Sequence, residues 1–109
     1  MENQHRKITG YRELSQDEID LMNRIKAAGA ALIELQAELV VRLERHYQPL
    51  VEADFASKKR IDDASPDNEN TVELSRFEAA EPFRWAAIGK TDIQTGVMAL
   101  IRAVAQPAV

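Results

Sequence analysis

The residues best suited to chemistry lie near the start of the chain. The segment Arg6-Lys7-Ile8-Thr9-Gly10-Tyr11-Arg12-Glu13-Leu14 combines three bases, one acid, a glycine and an aromatic ring. Gly10 lets the backbone turn sharply and present the face of Tyr11. A ring so placed can stack on a nucleobase, worth roughly 1–3 kcal/mol per base. Further on, Lys26 precedes the small run Ala27-Ala28-Gly29-Ala30-Ala31. There an ammonium group can meet a phosphate without steric interference. The bland alternative has Tyr11 packing the arm down and Lys26 as a solvated surface charge, and the residue types alone leave both open.

Machinery for bond-breaking chemistry is sparse. His5 lies in the N-terminal arm and His46 far along the chain, and neither has a metal-type partner at helical spacing. Glu38, Arg42 and His46 fall on one helical face, the pattern of a solvated row of charges. Gly89-Lys90-Thr91 echoes the tail of a phosphate loop, but it lacks the preceding glycine spacing and sits inside a helical pattern. The absence of cysteine excludes disulfides, thiolate metal sites and a cysteine nucleophile. These features predict a binding protein without cofactor or metal, not an enzyme.

The elements that must position Tyr11 and Lys26 read as helices. Ser15-Gln16-Asp17-Glu18 is a capping box, with acids at the positive end of the helix dipole. Met22, Ile25, Gly29, Leu32, Leu39 and Leu43 keep near three-four spacing, interrupted at Gln36, and predict a helix from about Gln16 to Tyr47. Pro49 disfavours helical geometry at Gln48 and predicts a break or kink, with a short helix possible from Pro49 to Arg60. Residues Ile61 to Thr71 are acidic and nearly without hydrophobes, which predicts a mobile loop. A short turn of helix follows around Ser75 to Ala80. Pro82 suits the first position of a second long helix, Phe83 to Ala105, which Pro107 stops. Gly89 and Gly96 each cost about 1 kcal/mol relative to alanine inside that helix, so close helix approach is the expected compensation.

The resulting fold class is all-α. An N-terminal arm (1–14) precedes a single domain (15–109), an antiparallel helical hairpin with short accessory helices. A lone hairpin has no third layer to close its core, and both long helices carry wide apolar stripes, so a homo-oligomer is expected. With 109 residues there is room for one domain. No run of about eighteen apolar residues predicts a membrane span, and the N-terminus lacks the apolar stretch of a secretory signal. The net charge of −4 is uneven: residues 61–81 carry −6 and the rest +2. Neither part offers the concentrated basic footprint of a duplex binder, so long nucleic acid is not an expected partner.

Two stretches carry a family resemblance. Lys7-Ile8-Thr9-Gly10-Tyr11-Arg12-Glu13-Leu14-Ser15-Gln16-Asp17-Glu18-Ile19-Asp20-Leu21-Met22-Asn23 resembles the N-terminal signature of phage anti-CBASS cyclic-nucleotide sponges. Arg84-Trp85-Ala86-Ala87-Ile88-Gly89-Lys90-Thr91-Asp92-Ile93-Gln94-Thr95-Gly96-Val97-Met98 and its continuation to Pro107 resemble the same family's second hairpin helix. A related hairpin occurs in anti-Thoeris sponges. The likeness covers roughly residues 7–46 and 75–107 and is not evident over 47–74.

The resemblance implies sequestration. Such proteins bind cyclic dinucleotides, such as 3′,3′-cyclic GMP–AMP, without cleaving them, and assemble as hexamers. The base-stacking tyrosine of the family corresponds to Tyr11 and its phosphate-contacting lysine to Lys26. A separate site for cyclic trinucleotides is implied on the second helix, with Arg84, Lys90 and Thr91 as candidates. The implied location is the cytoplasm of the infected bacterial host. From another class, a structural or protein-binding helical adaptor of a phage accounts equally for the stripes and the oligomer, but leaves Gly10-Tyr11 and Lys26 unexplained.

Overall fold

The structure, a computed structural model, describes residues 12–60 and 68–108. Three helices account for nearly all of them: α1 (Gln16–Arg60), α2 (Glu69–Ala80) and α3 (Pro82–Ala105). No strand occurs among the described residues. The chain divides into two units. One comprises the chain up to Glu34 together with Lys90 onward, and the other comprises Leu35–Gly89.

In the first unit the capping box forms as its sequence predicts. Ser15 Oγ accepts from the Glu18 N–H at 3.2 Å, and Glu18 Oε1 accepts from the Ser15 N–H at 2.9 Å. The N-terminal part of α1 runs antiparallel to the C-terminal part of α3. They approach closely at Gly29, which is buried. A Cβ built there would meet Val97 Cγ2 at 2.5 Å, so a bare backbone is what lets Val97 seat. At Gly89 and Gly96 a Cβ would meet nothing within 4 Å among the described residues, so the close approach expected of them is not made there. At the end of α3, Gln106 turns to a positive φ of 48° and its N–H closes on the Arg102 carbonyl at 2.8 Å. Pro107 follows, an ordinary helix stop.

In the second unit α1 passes straight through Pro49 and continues to Arg60, contrary to the expected break. Proline removes one ladder bond and crowds the preceding turn, at about 3 kcal/mol. Contacts on both sides of it outweigh that cost. Before it, His46 sets its edge on Phe77 (4.9 Å between centroids) and Tyr47 stacks on the same ring at 5.5 Å. After it, the nearly buried Asp54 accepts the Thr71 hydroxyl at 2.6 Å. Helix α2 begins at Glu69, well before the expected Ser75, because Asn68 caps it by accepting the Thr71 N–H at 3.0 Å. Residues 68–71, read as loop, are therefore cap and first turn; the remainder of the expected loop, 61–67, lies outside the described residues.

Phe77 and Ala86 are the buried hydrophobic residues of the core. Gln36, which interrupts the apolar stripe, is half-buried and donates its side-chain amide to the Ala86 carbonyl at 3.0 Å. Glu81 closes α2 in the left-handed region (φ 51°) and its carbonyl starts α3 by accepting the Trp85 N–H at 3.1 Å.

Candidate functional site

The first unit carries two neighbouring clefts, built where α1 and α3 lie side by side. One, of about 460 Å³, is bordered by Arg12, Leu14, Lys26, Met98, Ile101 and Arg102. The other, of about 500 Å³, is bordered by Lys26, Gly29, Ile33, Ile93, Gln94 and Met98. Both fall in the size range of small-molecule sites. Lys26, Val97 and Met98 belong to both and so form the divide between them. The small residues Gly29 and Ala30 keep the floor of the second cleft low.

Lys26 is exposed and makes no hydrogen bond or ion pair among the described residues. Among the described residues its ammonium stands over largely apolar walls with no counter-charge. Met98 beside it is 71% exposed although apolar; its thioether is a soft, adaptable surface for a flat ring.

Arg12 is held very differently. Its Nε donates to the Ala105 carbonyl at 3.1 Å and its Nη2 to the Val104 carbonyl at 2.7 Å, while the same guanidinium pairs with Glu18. These are carbonyls at the end of α3, without partners inside their own helix and at the negative end of its dipole. The hydrogen bonds from Arg12 and from the Ser15 N–H hold the Glu18 carboxyl down, from its ordinary 4.5 to about 2. Sequence reading missed Arg12 as a contributor to the cleft. Its position immediately ahead of the capping box was the one available signal, since its carbonyl partners lie at the opposite end of the chain.

Tyr11, expected beside Lys26, lies outside the described residues, as does His5. Of the residues expected on α3, Arg84 belongs to the second unit and is engaged locally: its Nη1 lies 3.6 Å from Glu81 and its guanidinium stands over the Trp85 ring at 5.2 Å. Lys90 and Thr91 are exposed on α3 within the first unit.

His46 is a packing partner of Phe77, near enough to Glu73 to help keep that carboxyl below its usual range, chiefly an effect of the hydrogen bond from Arg76. Tyr47 donates its hydroxyl to Glu78 at 3.0 Å, and this bond pushes the phenol pKa up. Among the described residues no cluster of three or more His, Asp or Glu is placed to hold a metal ion, and none of their helices is long and apolar enough to cross a membrane.

Comparison with known proteins agrees with the helical pairing. Residues 3–105 match the family described as Acb2/Tad1, hairpin domain, a span that takes in residues 47–74, where the sequence resemblance is not evident. The chain is 61% identical over 110 residues to a protein named Anti-CBASS protein 2 from Pseudomonas phage JBD67, an alignment covering 98% of this chain and 97% of that one. The chain therefore belongs to the Acb2/Tad1 hairpin family.

Proposed function

We propose that this protein is a phage anti-CBASS sponge that captures cyclic oligonucleotide messengers, such as 3′,3′-cyclic GMP–AMP, and holds them uncleaved in the cytoplasm of the infected host. The observation that carries the reading is Lys26: an exposed ammonium with no partner among the described residues, on the divide between two apolar-walled clefts. The name of the Pseudomonas phage relative supports the same direction.

A cyclic dinucleotide has pseudo-twofold symmetry, with two bases and two phosphates in one ring. An isologous contact between copies brings two of each residue around its axis. Two Tyr11 rings then stack on the bases, contributing roughly 2–6 kcal/mol. Two Lys26 ammoniums meet the phosphates, adding about 3–6 kcal/mol. Nanomolar capture needs about 12 kcal/mol, within reach of a preorganised pocket. Passive capture requires no acid–base pair. The assembly proposed is a homohexamer, and exposed apolar residues such as Leu32, Leu35, Leu39 and Leu100 are available to build it. A separate trinucleotide site on α3 is proposed with Arg84, Lys90 and Thr91 as its candidates.

Titration calorimetry with 3′,3′-cyclic GMP–AMP tests the reading. Tyr11→Ala and Lys26→Ala should each weaken binding by about tenfold or more, and ligand released by denaturation should be chemically intact. Wild-type affinity in both variants removes the site, and a linear product removes the sponge. Native mass spectrometry reads the copy number.

A further inference from the structure

We infer that Gln94 is a specificity-determining residue of the ligand site, reading the edge of a purine base and favouring adenine over guanine. The inference rests on the capture function proposed above. It concerns the second cleft alone, whose borders all lie on α1 and α3 within the first unit. Among the described residues two polar side chains border that cleft, Lys26 and Gln94, and its other walls are apolar. Lys26 supplies the charge that a phosphate needs. A neutral amide adds no charge, so what it brings is direction: a carbonyl acceptor beside an amino donor in one plane.

That amide makes no hydrogen bond among the described residues. Glutamines elsewhere on α1 use theirs: Gln16 donates to Asp20 at 2.8 Å and Gln36 to the Ala86 carbonyl at 3.0 Å. Gln94 and the exposed Met98 are one turn apart on α3 and border the same cleft, with about 5–6 Å between Cβ atoms at that spacing. A flat ring resting on the Met98 thioether therefore turns its edge toward the amide.

Adenine sets a donor beside an acceptor on either edge, its N6 amino group with N7 or with N1, and the amide matches both. Guanine sets two acceptors, O6 and N7, on one edge, which the amide cannot engage together. Its other edge offers the amide one fit, O6 with N1–H. To a carboxylate, an acceptor only, that edge offers a better one, the adjacent donors N1–H and the N2 amino group.

3′,3′-Cyclic di-AMP and 3′,3′-cyclic di-GMP carry the same two phosphates and differ in their bases, so the ratio of their affinities cancels changes in charge, stability and assembly. Both are titrated by calorimetry, beside 3′,3′-cyclic GMP–AMP, into the wild type, Gln94→Ala and Gln94→Glu, with melting curves for each. The wild type should favour cyclic di-AMP by about tenfold. Gln94→Ala should lose about tenfold for cyclic di-AMP and less than about threefold for cyclic di-GMP. Gln94→Glu should move the ratio further, toward cyclic di-GMP.

A ratio unchanged in both variants makes Gln94 a solvated side chain and overturns the inference. So does a wild type that favours cyclic di-GMP, or one that holds cyclic GMP–AMP but not cyclic di-AMP. Equal losses for both ligands in Gln94→Ala reduce its contribution to packing and overturn the inference too. A wild type that binds none of the three ligands removes the capture reading itself, and the base reading with it, and is recognised before any variant is compared.

Discussion

Replacing Gly29 with alanine tests the close approach of α1 and α3 directly. The added Cβ would stand 2.5 Å from Val97 Cγ2, with the Val97 Cβ at 3.6 Å and Cγ1 at 3.7 Å. Ordinary contact between carbons needs about 3.5–4.0 Å, so Cγ2 must retreat by roughly an ångström. Valine in a helix holds essentially one χ1 rotamer, which leaves backbone movement as the relief. Overpacking of this kind costs about 1–3 kcal/mol, and the better helix propensity of alanine returns about 1 kcal/mol. Gly96→Ala supplies the reference, because its Cβ meets nothing within 4 Å among the described residues while the propensity change is the same.

The expected difference between the two variants is therefore about 1–3 kcal/mol, or roughly 4–8 °C in melting temperature for each kcal/mol. It is measured by circular dichroism at one fixed protein concentration, since assembly makes melting concentration-dependent. Val97→Ala combined with Gly29→Ala should restore much of the loss. Equal stabilisation by Gly29→Ala and Gly96→Ala would refute the packing argument. Destabilisation by Gly96→Ala alone would instead reveal another copy covering that face.

Other perturbations have equally definite expectations. Glu18 is held near 2 in the folded chain against an ordinary 4.5, so its ion stabilises the fold above pH 4.5 and that contribution is lost as the pH falls toward 2. The melting temperature of Glu18→Gln should accordingly fall less steeply than that of the wild type across this window; Asp54 and Glu73, also lowered, keep some slope in the variant. Thr71→Val removes the hydroxyl that Asp54 accepts and should lower the melting temperature by several degrees, with amide exchange rising first around residues 50–58 and 69–72. Glu81→Gly relieves a left-handed residue that carries a side chain, and should stabilise by about 1 kcal/mol in urea titration; its ion pair with Arg84 is exposed and offsets little.

Local rules carried much of the fold. Ser15 and Glu18 announce α1 because a capping box is complete within four residues, and Pro82 and Pro107 bound α3 for the same kind of reason. What escaped depends on distant partners. Pro49 reads as a break unless the ring of Phe77 and the hydroxyl of Thr71 are known to face the turns on either side. Asn68 reads as loop in an acidic stretch, although its amide oxygen is the cap that starts α2. The interruption at Gln36 makes sense once the Ala86 carbonyl is beside it. At the candidate site Lys26 was legible as a cation beside small residues, but the clefts were not, since their walls join side chains from both ends of the chain. Gly29 was read as one small position in a stripe, and among the described residues the close approach of two helices falls at it rather than at Gly89 or Gly96.

Continuity through Pro49 has a consequence for how this protein comes apart. The residues beyond it lack an unbroken ladder back to the capping box, so their helicity is conditional on α2 being docked. The stretch from Leu50 to Lys58 and the helix opposite it should open together as one cooperative element, at a lower free energy than the stretch behind Ser15. A chain emerging from the ribosome would acquire this portion late, once Thr71 and Phe77 have been synthesised.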